Sequence, residues 1–420
     1  MQTPSPPEPP GTSVAFRWRP ILLPAYGPTA LASLGYGAVT PMIALAAIAL
    51  GASAATAAVV VTLLACGQLV GDLPAGALAA KFGERRALLA AAAVDVAAMT
   101  TAYLAQSLWL LALAVFVDGM SASVFNLARH AWMTVAIPLR YRARALSSLG
   151  GTFRVGLFIG PFVAAWLVSA FSLQAVFLFA AGTGLAAGLL TLTMPDLTAD
   201  ERTAGKREHR APRVTIAAVV RQHWSVLATV GVGVLLISAA RQSRQTILPL
   251  WSEAQQLHPS TISVIFGIAA GIELLLVYPG GAVMDRFGRV FVAVPAVLLM
   301  GLGLLLLPLT HTAIAIAVVA GVMAVGNGLS SGIVLTMGSD AAPTVGRAQF
   351  LGAWRFLADT GGLAGPGLIA AVTALAALGP AAVAMAAVCG LGAGWLAVFA
   401  PGGRRSRRAV ATAGSRRRPG

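Results

Sequence analysis

The sequence predicts an all-α membrane protein with twelve transmembrane helices in two pseudo-symmetric six-helix bundles. Three observations predict this fold. First, 58% of the 420 residues are hydrophobic and only 10% are charged, with a mean hydropathy of +0.82, whereas soluble domains carry about 25% charged residues. Second, polar residues divide the chain into apolar segments of membrane-spanning length. Third, positions 205 residues apart repeat the same proline, glycine and arginine residues.

The apolar segments can be located one by one, because a transmembrane helix needs about 20 predominantly apolar residues. Cutting the chain at charged residues and at Pro, Gly and Ser clusters predicts six spans in the first half, near 21–50, 55–80, 87–104, 108–135, 146–170 and 173–193. Six more follow in the second half, near 225–250, 261–283, 290–309, 313–337, 350–374 and 381–400.

Three polar segments flank and separate the predicted bundles, 21–194 and 225–400. Residues 1–20 contain six prolines and no apolar run of signal-peptide length, which predicts a disordered N-terminal segment and no cleaved leader. Residues 195–224 form the longest polar stretch and predict a linker. Residues 401–420 form a basic tail. We expect the tail to contact anionic lipid headgroups and not nucleic acid, because no stacking aromatic residues accompany it.

The distribution of Lys and Arg predicts the orientation, because positively charged loops are retained in the cytoplasm. Six intervals contain neither residue: 20–80, 87–128, 155–201, 245–285, 290–346 and 356–403. Each interval encloses one alternate loop. These loops are therefore predicted to face outward, while both termini and the linker face the cytoplasm in a multi-pass protein of the cell membrane.

The repeat at an offset of 205 residues extends over much of both halves. The matched pairs include Pro74 and Pro279, Gly76 and Gly281, Phe82 and Phe287, Gly83 and Gly288, Gly156 and Gly361, Gly160 and Gly365, and Pro161 and Pro366. Matches at such residue types without a gap indicate duplication of a six-helix unit. Parallel repeats of this kind are typical of secondary transporters, whose substrate sites lie between the repeats near the bilayer midplane.

Two charged segments fall at equivalent places in the repeat, "AGALAAKFGER" at 75–85 and "GGAVMDRFGRV" at 280–290. They resemble the loop signature Gly-x-x-x-Asp-Arg-x-Gly-Arg-Arg of the major facilitator superfamily. The second copy holds Gly281, Asp285, Arg286, Gly288 and Arg289, and the first holds Gly76, Lys81, Gly83, Arg85 and Arg86.

The resemblance covers essentially all of the chain outside its tails, and it implies that the two segments form a cytoplasmic gate. The glycines would permit a tight turn and close helix approach, and the acid would pair with nearby arginines. Ala80 replaces the acid in the first copy, which weakens that role in the first half. The alternative interpretation is that the charges only mark short positive-inside loops.

Ionisable residues inside the spans are costly, so each is a functional candidate. The resemblance implies that spans 1, 4, 7 and 10 line a central cavity, which favours Asp118 on span 4 and Arg241 and Arg244 on span 7. The other predicted cavity residues are Tyr36, Ser121, Asn126, Gln245, Asn327 and Ser331.

An unpaired arginine near the midplane is expensive, so one of Arg241 and Arg244 is predicted to meet Asp118 or Glu273. Burial of a carboxylate favours its neutral form, which allows it to take up a proton on one side of the membrane and release it on the other. Asp118 is the first candidate for this proton-coupling role and Glu273 the second. The alternative for each is a fixed ion pair between helices. Arg355 and Asp359, four residues apart, are predicted to form such a structural pair.

Span 5 contains Gly156-x-x-x-Gly160-Pro161, which resembles the antiporter signature of drug exporters. The match is partial, because Ala164 and Ala165 stand where that signature has two glycines. Span 11 repeats the pattern with Gly361, Gly365 and Pro366. The alternative interpretation is therefore small-residue packing between helices.

Together, the residues and the resemblance imply a monomeric secondary active transporter that exports a drug-like or secondary-metabolite small molecule in exchange for protons, by alternating access. The runner-up is a proton symporter that imports a small anionic or sugar-like solute, which the paired arginines would suit. The sequence has no phosphate-binding loop, hydrolase-type carboxylate pair or metal-ligand spacing. We therefore expect neither enzymatic activity nor a cofactor or metal.

Overall fold

A computed structural model describes residues 19–195 and 215–400. This part of the chain consists of helices joined by irregular segments and has no strands. The helices of the first half are α1 (Arg19–Val39), α2 (Met42–Ala49), α3 (Ala54–Phe82), α4 (Glu84–Tyr103), α5 (Leu108–Ala136), α6 (Leu139–Ala170) and α7 (Ala175–Thr191). Those of the second half are α8 (Ile216–Gln222), α9 (Trp224–Ala254), α10 (Pro259–Phe287), α11 (Val290–Leu306), α12 (Ala313–Leu329), α13 (Ile333–Ala341), α14 (Arg347–Leu375) and α15 (Leu378–Phe399).

The described residues contain ten helical spans long and apolar enough to cross a bilayer, or eleven if α1 and α2 count as one span bent by 44°. One of the ten combines α12 and α13, which separate at Gly332, where φ is +82°. The predicted sixth span corresponds to α7, an apolar helix of 17 residues. The count of twelve therefore stays a prediction, although every predicted span contains a helix.

The predicted polar segments lie mostly outside the described residues. Residues 1–18, 196–214 and 401–420 are not described. The described end of the predicted linker is helical: Thr215 accepts a hydrogen bond from the Ala218 amide and begins α8. The boundaries 21–194 and 225–400 remain a proposal.

The helices pack as two groups. In the first, α3 contacts α5, α4 contacts α5 and α7, and α1 contacts α6 and α7. In the second, α10 contacts α12, α11 contacts α12 and α15, and α9 contacts α14. The main contacts between the groups are made by α6 with α10 and by α3 with α14. A space enclosed between the groups therefore has these four helices at its sides.

The backbone follows the 205-residue register at several points. Helices α3 and α10 begin and end 205 residues apart. The turns that follow them lie at Gly83, with φ of +90°, and Gly288, with φ of +98°. Phe171 after α6 and Ala376 after α14 have nearly equal φ and ψ angles, near −131° and −87° at Phe171 and near −133° and −88° at Ala376. Duplication and pseudo-symmetry remain the interpretation that this agreement supports.

The two ends of the molecule are packed differently. We call the end at Gly83 and Gly288 the motif face, and the end at Gly51 and His258 the opposite face. At the opposite face, α2 contacts α9 and α10, and its residues 42–47 are buried. The contact of Ser263 Oγ with Met42 Sδ, at 3.9 Å, joins the two groups there. Apolar packing thus closes the space between the groups at the opposite face.

Candidate functional site

The space between the two helix groups contains two neighbouring cavities of about 220 and 230 Å³. Both are lined by Tyr36 of α1 and Gln242 of α9. Taken together they have the size of a small-molecule site, which is roughly 300–1,000 Å³. We call them the central cavity. Of the predicted cavity residues, Tyr36, Arg241, Arg244 and Gln245 line it.

A network of charged and amide groups forms the second-half wall of the central cavity. Arg241 Nε donates to Asn327 Oδ1 at 2.6 Å, and Asn327 Nδ2 donates to Glu273 Oε2 at 2.7 Å. Glu273 Oε1 lies 2.5 Å from Arg244 Nη2. The network connects α9, α10 and α12. The prediction that one of the two arginines meets Glu273 is confirmed, and Arg244 is the one that does.

A third guanidinium faces this network from the other helix group. Arg154 of α6 lines the cavity and donates a hydrogen bond to Ser331, one of the two residues predicted on span 10. The sequence places Arg154 inside a span but gives no reason to choose it, because only the approach of α6 to α10 brings it to Glu273. Asp359 also lines the cavity, so with all five groups ionised Arg154, Arg241, Arg244, Glu273 and Asp359 leave one uncompensated positive charge.

Several polar atoms of the wall have no partner. Arg244 is 4% exposed, and its Nε lacks a hydrogen bond among the described residues. Gln245 Oε1 is likewise buried without a partner there. Buried polar atoms in folded proteins are nearly always satisfied by protein, water or ligand. The central cavity therefore offers a donor, Arg244 Nε, and an acceptor, Gln245 Oε1, to a polar solute or water.

A separate cavity of about 120 Å³ lies within the first helix group. It is lined by the stripe predicted on span 4, namely Asp118, Ser121, Asn126 and Arg129, and by Tyr36. We call it the α5 cavity. Arg129 Nη2 donates to Asn126 Oδ1 at 2.8 Å, and its Nη1 donates to Thr29 Oγ1 at 2.9 Å.

Asp118 does not reach the arginines of span 7, so that option for their partner is wrong. It lies instead against Asp95 of α4, which lines the same cavity. Asp95 lies inside a predicted span, but its alanine-rich surroundings show no polar face that would single it out. Its pairing with Asp118 depends on the packing of α4 against α5.

Acidic and basic groups also meet where α3 contacts α14. Arg355 Nε lies 3.5 Å from Asp359 Oδ2, as the spacing of four predicts, and 3.9 Å from Asp72 Oδ2 of the other helix group. Ser123 donates to Asp72. The side chain of Arg355 is 64% exposed, so this contact between the groups is solvated.

The comparison with protein families decides the identity of the fold. The family model of the Major Facilitator Superfamily matches residues 29–366, which is most of the chain. The chain belongs to the major facilitator superfamily. It is therefore a multi-pass membrane protein of a transporter family, and secondary transport is the activity that its similarities support.

Individual relatives of this superfamily member are distant. The uncharacterized MFS-type transporters Rv1877 and MT1926, from two strains of Mycobacterium tuberculosis, are each 31% identical over 107 residues, which is 26% of this chain and 16% of each relative. A POT family transporter crystallised with a thioalcohol-conjugated peptide has a TM-score of 0.74 at 14% identity, covering 91% of this chain and 96% of its own. The nucleoside transporter NupG has a TM-score of 0.72 at 13% identity, covering 90% and 98%. These structural similarities show a shared fold.

The two copies of the superfamily loop signature form tight turns at the motif face. Gly83 and Gly288 adopt positive φ angles, as the predicted turns require. The expected close helix approach at Gly76 and Gly281 is not observed, since among the described residues no atom lies within 4 Å of where a side chain would begin at either glycine.

The charges of the signature make different contacts from those expected. Asp285 is exposed and has no ion pair within the described residues. Instead, Arg289 Nε donates to Asp340 Oδ2 of α13 at 2.7 Å. Two other basic residues of the signature lie over aromatic rings, Lys81 over Phe82 and Arg286 over Phe287. Arg85 Nη2 donates a hydrogen bond to Leu192 O at 2.5 Å. Arg86 is exposed.

The glycines of the fifth-span pattern allow close packing of helices. A Cβ atom at Gly160 would lie 2.6 Å from the Leu34 carbonyl oxygen of α1. A Cβ atom at Gly365 would lie 2.6 Å from Ser243 Oγ of α9. Gly156 and Gly361 approach the same two helices, and Pro161 and Pro366 lie inside α6 and α14. Both halves use the pattern in the same way, so it serves helix packing in each of them.

Proposed function

We propose that this superfamily member is a proton-coupled secondary transporter whose solute is a small organic anion. The observation that carries the proposal is the excess of positive charge at the central cavity, where Arg154, Arg241 and Arg244 outnumber the two carboxylates, Glu273 and Asp359. Asp359 is also paired with Arg355. An unpaired cation at span depth costs several kcal/mol. A carboxylate or phosphate on the solute would supply the missing charge.

Arginine suits this role because its planar guanidinium can bind a carboxylate or phosphate with two parallel hydrogen bonds. Arg154 belongs to the first helix group and Arg241 and Arg244 to the second. An anion bound between them would therefore contact both groups at once. Its binding energy would favour one arrangement of the groups over another, which is what alternating access requires.

Two features of the packing support alternating access. Buried apolar residues of α2 close the central cavity at the opposite face. Toward the motif face, the contacts between the groups include hydrogen bonds and ion pairs made by Arg154 and Arg355. With the predicted orientation, in which the motif face is cytoplasmic, this arrangement is closed to the outside.

The anion proposal can be tested with a compound panel and the purified chain. The panel contains monocarboxylates, dicarboxylates and phosphomonoesters, each with its neutral amide or ester. We expect some anions, and not their neutral analogues, to raise the melting temperature of the wild-type protein. Arg154→Gln should abolish this stabilisation, while Arg221→Gln, an exposed arginine of α8, should preserve it. Stabilisation by neutral or cationic compounds alone would contradict the proposal.

The second candidate is proton-coupled efflux of a drug-like molecule or secondary metabolite. The fifth-span pattern Gly156-x-x-x-Gly160-Pro161 favours it, through its resemblance to the antiporter signature. Everted vesicles with a pH-sensitive dye distinguish the two directions. Solute addition that drives protons out of the acidified lumen supports exchange and efflux, whereas solute and proton movement in the same direction supports symport.

A further inference from the structure

The α5 cavity contains a charge arrangement that the central cavity does not explain. Its two acidic groups, Asp95 and Asp118, line the same cavity and lie next to each other where α4 packs on α5. Asp118 is only 6% exposed. Among the described residues, no Lys or Arg lies within ion-pair distance of either carboxyl. We propose that Asp95 and Asp118 form a proton-binding pair that holds one proton between them.

The local packing places the two carboxyl groups together. Ser121, three residues after Asp118, donates a hydrogen bond to the carbonyl oxygen of Ala91, four residues before Asp95, at 2.7 Å. This bond fixes the register of α5 against α4. Gly184 of α7 provides the room, because a side chain at that position would meet Asp95 Oδ2. Asp118 lies about 15 Å from the start of α5 and Asp95 about 12 Å from the end of α4, so both acids are at span depth.

Two carboxylates in direct contact repel each other strongly away from water, so the stable form of such a pair retains one proton. The pair then carries a single negative charge.

The remaining groups around the pair support this protonation state. Arg129 of α5 is 5% exposed in the same cavity, and its partners among the described residues are the neutral Thr29 and Asn126. With one proton on the pair, the charged groups that line this cavity sum to zero. The other polar groups that face the pair carry no charge: Tyr36 of α1, Gln68 of α3 and Thr183 of α7.

Tyr36 connects the proton-binding pair with the central cavity, because it lines both. Its hydroxyl is in hydrogen-bond contact with Gln68. Proton binding in the α5 cavity and solute binding in the central cavity are thus adjacent but separate. The inference that the pair couples the proton to the solute rests on the proposed function, whereas the proton binding itself does not.

Infrared titration of the purified, detergent-solubilised chain tests the pair directly. We expect the wild-type protein to show a carboxylic-acid C=O band at pH 7 that disappears on alkaline titration with release of one proton per chain. In Asp95→Asn and in Asp118→Asn, the remaining acid should lose its proton at a pH lower by about one unit or more, since its negative neighbour is gone. Glu253→Gln, which removes a carboxylate at the end of α9, should titrate like the wild type.

Three results would overturn the proton-binding pair. One is the absence of the band in the wild-type protein at pH 7, which needs no variant and so does not depend on their folding. Another is a band that neither substitution changes. The third is loss of the band when sodium replaces potassium at constant pH, which would indicate a cation site. If the titration is as expected but no compound of the panel moves protons in liposomes, the proposed function fails and the pair remains.

Discussion

The buried ion pair of Arg244 with Glu273 gives the sharpest energetic prediction. The two side chains are 5% and 14% exposed, and their closest N and O atoms are 2.5 Å apart. Arg289 and Asp340 form a pair of similar length, 2.7 Å, at 27% and 40% exposure. The two pairs have similar lengths but differ in burial, and Glu273 also accepts a hydrogen bond from Asn327. They can be compared by double-mutant cycles.

The expected magnitudes follow from this difference in burial. Glu273→Gln leaves the Arg244 charge buried beside a neutral amide, and breaking a buried pair in this way costs about 3–5 kcal/mol. The double variant with Arg244→Gln removes both charges and should cost much less than the two single changes added together. We expect a coupling energy of at least about 2 kcal/mol. For Arg289→Gln with Asp340→Asn we expect about 0.2–1 kcal/mol.

The two cycles need the free energies of unfolding of seven proteins. Reversible unfolding in mixed micelles, driven by a denaturing detergent and followed by circular dichroism, measures them. The wild type is shared by both cycles. A coupling energy for Arg244 and Glu273 that equals that of the exposed pair would refute the reasoning. It would mean that water or relaxation screens the central cavity as effectively as the motif face.

Three further predictions concern other parts of the molecule. Gly160→Ala should lower the free energy of unfolding by about 1–3 kcal/mol through overpacking against α1, whereas Gly150→Ala, which faces open space, should not; similar melting temperatures for both variants would contradict this. Gly83→Ala should destabilise the protein by about 1 kcal/mol or more, because φ is +90° there, and an equal loss in Gly76→Ala would count against the turn as the cause. Asp118→Asn should abolish gradient-driven transport in liposomes while solute counterflow continues, and wild-type rates driven by the gradient would remove Asp118 as the coupling acid.

Much of the architecture follows from local sequence pattern. The apolar segments predict where helices lie, because only helices satisfy the backbone of a span in lipid. The 205-residue register anticipates the equal bounds of α3 and α10 and the turns at Gly83 and Gly288. The sequence pattern does not predict the breaks inside two spans, at Thr40 between α1 and α2 and at Gly332 between α12 and α13. Tertiary packing decides whether such positions interrupt a helix.

By itself, the sequence determined which residue types lie at span depth and on which helix face, because helix periodicity is a local property. It predicted the polar stripe from Asp118 to Arg129 on span 4. It also predicted that an arginine of span 7 has a carboxylate partner. Only the tertiary structure decided the pairings: Asp118 with Asp95, Arg244 with Glu273, and Arg154 with Ser331. The physical reason is that a helix face can meet several neighbours, and which one it meets depends on the packing of all the helices together.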